Sequence, residues 1–198
     1  MTTTKKLVIA VVALSLALIA FAGTTLAWLI STPDPVTNTF TAGDVQITLD
    51  EAPTSADGYG VVIDGNRVTK NSYKLVPGRT YAKDPTVHVQ ANSEPCYVFV
   101  KIENQLVNVI DSTTDIETQI ITTYGWIKLS DNLYYKEVDT STSVIDLIVF
   151  NGFKVDEDAT NTQISANDNK NIIVTAYAVQ MYGFDSAVEA WEENFKNK

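Results

Sequence analysis

The 198-residue chain has one cysteine, Cys96, and one histidine, His88. A lone cysteine cannot close an internal disulfide, so a disulfide-stapled scaffold is excluded. A lone histidine excludes an HExxH zinc site and leaves any Ser-His-Asp arrangement a single imidazole to recruit; no G-x-S-x-G elbow, P-loop or GxGxxG is present either. Positive charge is also scarce: 14 Lys and Arg stand against 24 Asp and Glu, a net charge of -10. Nucleic-acid binding relies on basic side chains that neutralise phosphates, so this balance argues against it. Like charge instead keeps the molecules apart and soluble. These absences leave no catalytic residue, no cofactor-binding residue and no metal ligand to nominate, and the reading is a non-enzyme. The acidic run Asp156-Glu157-Asp158, with Asp168 beyond it, lacks the ordered spacing and closing Glu of an EF-hand and reads as a solvated loop, with calcium left open.

What is present begins with an export signal. Lys5 and Lys6 precede an uncharged run, "LVIAVVALSLALIAFA", and small residues follow up to Thr25-x-Ala27. This is the order of a secretory signal peptide over residues 1–27, with cleavage after Ala27. An uncleaved anchor is the open alternative, because the run extended by "LAWLI" approaches the length needed to span a bilayer. Cleavage removes two lysines and no acid, makes the mature chain more acidic and leaves Trp28 at its start. Residues 28–40, "WLISTPDPVTNTF", then read as an extended arm broken by two prolines.

From residue 41 to 198 the chain reads as one all-β domain. Val45, Ile47 and Leu49 alternate with polar residues, as in a half-buried strand. Asp64-Gly65 in "YGVVIDGNRVTK" signals a hairpin, Pro77-Gly78 and Asn92 to Pro95 signal turns, and "PCYVFVKIE" places Cys96, Val98, Val100 and Ile102 on one buried face. His88, between Val87 and Val89, reads as a surface-facing strand residue. Ile116, Ile120 and Ile121 suit a short helix, "WIKLSDNLYYKEV" a hairpin, "SVIDLIVFNGFKVD" one strand bulged near Asn151-Gly152, and "DEDATNTQISANDNKN" a loop with one short strand. "NIIVTAYAVQMYGF" is apolar on both alternating sets and reads as a central strand. The tail changes period: Ser186 and Glu189 fit a capping box, and Val188, Trp191 and Phe195 share a helical face. Tyr134, Tyr135, Tyr177, Tyr182 and Trp191 read as core or cross-strand aromatics ahead of a ligand platform. The expected architecture is a β-sandwich or jelly roll with a short C-terminal helix, behind an N-terminal signal or transmembrane helix.

Three stretches carry a family resemblance. "GTTLAWLISTPDPVTNTFTAGDVQITL" has Gly-Thr before the cleavage site, an aromatic after it, and Asn38-Thr39-Phe40 with Ala42-Gly43 opening a strand. "LVPGRTYAKDPTVHVQANSEPCYVFVKIEN" and "NIIVTAYAVQMYGFD" supply a Pro-Gly turn with its following strands and a last long strand. In these the chain resembles the TasA/camelysin family of exported fibre proteins. The resemblance implies a jelly-roll subunit cut by a SipW-type signal peptidase in a Gram-positive cell and assembled outside it into homo-oligomeric surface or biofilm-matrix filaments, with an accessory matrix protein as a further partner. Under this reading Trp28, Leu29, Ile30 and Phe40 form a polymerisation arm that joins a neighbour's sheet by donor-strand complementation. The alternatives are a monomeric membrane-anchored binding module and a camelysin-type secreted metallopeptidase, for which no ligand set transfers.

Overall fold

The computed structural model describes residues 44–196, so the signal, its cleavage residues Thr25 and Ala27, and the arm residues Trp28, Leu29, Ile30 and Phe40 lie outside the described residues. The described chain is mostly β-sheet with few short helices, an all-β fold. Alternating apolar residues form nine strands: β1 (Ile47–Asp50), β2 (Thr80–Ala82), β3 (Thr86–Val89), β4 (Cys96–Asn104), β5 (Ile127–Ser130), β6 (Leu133–Val138), β7 (Ile145–Ile148), β8 (Gly152–Lys154) and β9 (Ile172–Gln180). They assemble as a three-stranded sheet β1-β3-β7, a two-stranded ribbon β2-β8 and a four-stranded sheet β5-β6-β4-β9. Every pairing between these strands is antiparallel.

The period-two pattern decides what is buried. Val87, Val89 and Leu147 of the three-stranded sheet share one core with Cys96, Val98 and Val100 of the four-stranded sheet, and Trp126 and Phe150 close it. Trp126 can be fully buried because its indole N–H donates to the Ile148 carbonyl at 2.8 Å. The opposite face of β4 and β9 carries Tyr97, Phe99, Tyr177 and Val179, and the C-terminal helix lies over it.

The turns at Gly78 and Asn92 form as expected, both with positive φ, and Asn132 turns β5 into β6. Other expectations are corrected. The Asp64-Gly65 segment is not a regular hairpin, because Val62 bridges back to Thr54 and Val68 to Glu51. The stretch from Val144 to Asp156 is not one bulged strand. It divides at Asn151, and its halves join different partners: β7 pairs with β3, and β8 with β2. Gly152 makes the transfer possible, since a Cβ there would stand 2.3 Å from the Tyr81 carbonyl oxygen.

The helices differ too. Ile116 and Ile120 are buried on a helical turn, α1 (Ile116–Thr118), that continues as a π-helical segment over Gln119–Thr123, while Ile121 is exposed. The acidic loop contains a helix, α2 (Asn161–Ala166), started by a full capping box between Thr160 and Gln163. In the terminal helix α3 (Ala187–Asn194), Ser186 accepts from the Glu189 N–H. Glu189 reaches back to the Asp185 N–H instead of that of Ser186. The buried face is Ala187 and Ala190 with Trp191 and Phe195 packed beside them, and Val188 points outward. Small residues let the helix axis approach the sheet, so the alanines take the contact expected of Val188.

Candidate functional site

The largest departure from the sequence reading is the place of β9. Among the described strands it is not central: β4 holds the middle of its sheet, and β9 stands at its margin. Both faces of β9 are apolar because one covers the core and the other lies under α3, which requires no second strand beside it.

The hydrogen bonds fix which residues look outward from that edge. The Met181 N–H donates to the Pro95 carbonyl and the Gln105 N–H to the Asn171 carbonyl, so the odd-numbered residues of this strand bond to β4. On the other side of β4, the Ile102 N–H donates to the Asn132 carbonyl at 2.8 Å, consistent with the same alternation. Ile172, Val174, Ala176, Ala178 and Gln180 therefore turn their N–H and C=O groups away from β4, and no described strand pairs with them. The side chains of Ile172, Val174, Ala176 and Ala178 meanwhile face the main core and remain only partly covered. The outward set carries no charge and no proline.

The other sheet edges are short. β1 and β7 have four residues each; β1 ends in Asp50 and β7 carries Asp146. β5 is irregular between Lys128 and Ser130 and carries Lys128 in an ion pair with Glu117 at 2.7 Å. Short, charged or bulged edges resist addition of a further strand. β9, at nine residues, has none of those defences.

A cavity lies at each end of the β9 edge. At its start, one of about 400 Å³ is lined by Leu49, Lys83, Pro85, Ile172 and Val174. At its finish, one of about 540 Å³ is lined mostly by apolar atoms of Pro95, Met181 and Tyr182, with Glu94 and Asp139 at its margin. Tyr182 is 90% exposed. Of the aromatics considered for a ligand platform it alone is free of the core: Tyr134 is buried, and Tyr135, Tyr177 and Trp191 pack against Phe99 or one another around α3.

His88 is not a freely exposed surface residue. It points from the outer face of β3, yet its side chain is only 15% exposed and is clamped on both sides. Nε2 lies 2.8 Å from Asp50 and Nδ1 2.7 Å from Asp146, so β1, β3 and β7 are tied through one imidazole. Only a doubly protonated ring donates at both nitrogens. Burial alone would lower its pKa, but the hydrogen bonds and charges of Asp50 and Asp146 outweigh it and raise the pKa above the ordinary histidine value. Asp50 also pairs with Arg67, which bonds Asp84 at 3.0 Å. Burial works against the Asp50 charge, yet these two cations hold its pKa below the usual carboxylate value.

Cys96 is fully buried, and desolvation pushes its thiol up to about 11, so it is not an available nucleophile. Asp156 accepts from the Asp158 N–H at 2.9 Å within a turn, and Asp168 lines a different cavity beside Lys70 and Lys170. Among the described residues no three His, Cys, Asp or Glu side chains are grouped to hold a metal ion, and no helix is long and apolar enough to cross a membrane. Two-sided apolarity in the sequence signals burial on both faces of this strand and carries no information on whether a strand or a helix supplies it. No family model, curated protein or solved structure matches the chain.

Proposed function

We propose that this chain is an exported structural subunit with a jelly-roll-like sandwich domain, which polymerises into extracellular or biofilm-matrix filaments by donating its N-terminal segment to a neighbouring subunit. A SipW-type signal peptidase cuts after Ala27 and releases residues 28–40, in which Trp28, Leu29, Ile30 and Phe40 are the anchors. The observation that carries this reading is the uncharged, nine-residue edge of β9, which no strand among the described residues pairs. Such an edge is a template for an added strand: main-chain hydrogen bonds supply affinity and alternate side chains fill pockets. Each bond contributes about 0.5–1.5 kcal/mol net, so several acting together stabilise the contact. Head-to-tail donation joins two different surfaces, and a contact of that kind propagates as a filament when the rotation does not close.

The test is the mature protein starting at Trp28, concentrated and viewed by negative-stain electron microscopy beside a variant lacking residues 28–40. Threads from the first and monomers from the second are expected. Monomers from both, with the arm confirmed intact by mass spectrometry, would overturn the proposal.

A further inference from the structure

Two cavities meet at the start of β9. The one of about 400 Å³ and a second of about 650 Å³ share Lys70, Asn71, Lys83, Asn171 and Ile172, so they form one groove walled chiefly by residues 69–75 and 167–174. Each wall is pinned from behind. The Asn71 side chain donates to the Ala52 carbonyl at 2.8 Å and accepts from the Thr54 N–H at 2.9 Å, which fixes the loop that carries Lys70. On the other wall the buried Asn167 side chain donates to the Val107 carbonyl at 3.0 Å and accepts from the Val107 N–H at 2.8 Å, which fixes the turn that carries Lys170. Leu75, Leu106 and Ile164 give the larger cavity an apolar lining.

Charge in this groove runs against that of the chain. Among the described residues every lysine but two either pairs with a carboxylate or stands over an aromatic ring. The two exceptions, Lys70 and Lys170, both line the groove. In a chain of net charge -10, with acids in excess, two cations left without partners in one place reverse the local balance. The acids there are mostly spent: Asp50 pairs with Arg67, and Glu51 with Lys83. Asp168 alone of the lining acids has no ion pair among the described residues. The Ser72 hydroxyl and the Asn169 side chain also line the groove and make no hydrogen bond among the described residues. Apolar walls of low dielectric strengthen the field of such groups on a ligand.

We infer that the groove binds an acidic oligosaccharide, a linear sugar chain bearing carboxylates, with Lys70 and Lys170 meeting its carboxylates and Ser72, Asp168 and Asn169 meeting its hydroxyls. The mixture of free groups selects this class. A ligand made of phosphates alone gains from the lysines but has no hydroxyl to donate to Asp168, which repels it. A neutral sugar leaves both lysines without a counter-charge. A uronate unit satisfies all of them: its carboxylate pairs with an ammonium, and its hydroxyls donate to a carboxylate and exchange hydrogen bonds with an amide. Its C–H faces cover the apolar lining. Each cavity falls within the range of about 300–1,000 Å³ of small-molecule sites, so two joined cavities suit a chain of sugars better than a single one. The groove belongs to one molecule and needs no filament.

The mature protein is titrated by calorimetry at low salt with tetramers of galacturonate and of mannuronate, with their methyl esters, and with inorganic polyphosphate. A uronate tetramer should bind, and its methyl ester should bind about tenfold more weakly, the effect of losing a hydrogen bond to a charged group. The same loss is expected of the acid tetramer with Lys70→Gln and Lys170→Gln combined, whereas Lys128→Gln, outside the groove, should bind as the parent does. Both groove lysines are exposed, so the double variant should keep the parental melting temperature. Equal binding of acid and ester, or undiminished binding by the double variant, would overturn the role of the lysines. Polyphosphate held as tightly as the uronates would overturn the sugar, and no binding of either tetramer would overturn the site. Filaments are counted in the same samples: filaments without binding remove this site alone, and binding without filaments removes only the filament reading.

Discussion

At the scale of single residues, His88 carries the sharpest consequence. Its doubly bonded geometry needs the imidazolium, and its folded pKa stands above the value of about 6.5 expected in the unfolded chain. The stability it contributes is fully present below that unfolded value and is lost as pH rises through the folded pKa. Asp50 runs the opposite way. Its folded pKa is depressed, so its contribution is present above the unfolded carboxylate value and is lost as pH falls through the folded one. Because His88 is the only histidine, the interval from pH 6 to 9 isolates it from all other side chains except the buried thiol. Thermal melting should therefore decline across that interval, and His88→Gln should flatten the slope. At pH 6, His88→Ala should cost about 1.5–3 kcal/mol, the range for losing hydrogen bonds to charged groups. A wild-type slope retained in His88→Gln would show that the clamp does not hold the three strands. Gly152 is a second residue-scale case. Alanine there would drive its Cβ into the Tyr81 carbonyl from a φ of 153°, and a loss of about 1–3 kcal/mol is expected by chemical denaturation.

At the scale of elements, the helix α3 is the piece whose removal the fold should feel most directly. Trp191 lies 5.2 Å from the Phe99 ring and 5.4 Å from that of Tyr177, so it joins the helix to both β4 and β9. Trp191→Ala should cost about 3 kcal/mol, the low end for truncating such a ring because the indole is only partly buried. A denaturation midpoint unchanged by Trp191→Ala would mean that the helix is not integral to the sheet. The same helix explains what was legible in the sequence. Period two located β4, β6 and β9, and Ser186 located the start of α3, because those signals are local. Which strands sit side by side depends on partners distant in the chain. That is why β7 and β8, continuous in sequence, look like one strand there. It is also why β9 looks central in sequence although its second apolar face belongs to a helix. The Thr160-x-x-Gln163 box was a readable signal for α2 that the polar composition masked.

At the scale of the whole molecule, the proposed assembly must overcome charge. The chain carries -10 and, under the proposed cleavage after Ala27, becomes more acidic as Lys5 and Lys6 leave, so subunits approaching one another in the proposed filament repel. The proposed contact itself carries little charge: β9 offers Ile172, Val174, Ala176, Ala178 and Gln180, and residues 28–40 hold a single charged side chain, Asp34. Repulsion between the bodies is long-ranged and screened by salt, whereas strand pairing and apolar burial are short-ranged and scarcely weakened by it. The Debye length falls from about 30 Å at 0.01 M to about 8 Å at 0.15 M, from a distance comparable with the domain to one well below it. The protein concentration at which filaments appear should therefore drop severalfold between those salt levels, as measured by sedimentation of the mature chain. Asp34→Asn should lower that threshold further and reduce its salt dependence only slightly, because one of many repelling charges is removed. A threshold that rises with salt would mean that ion pairs hold the subunits together, and an uncharged strand edge would then no longer account for the assembly.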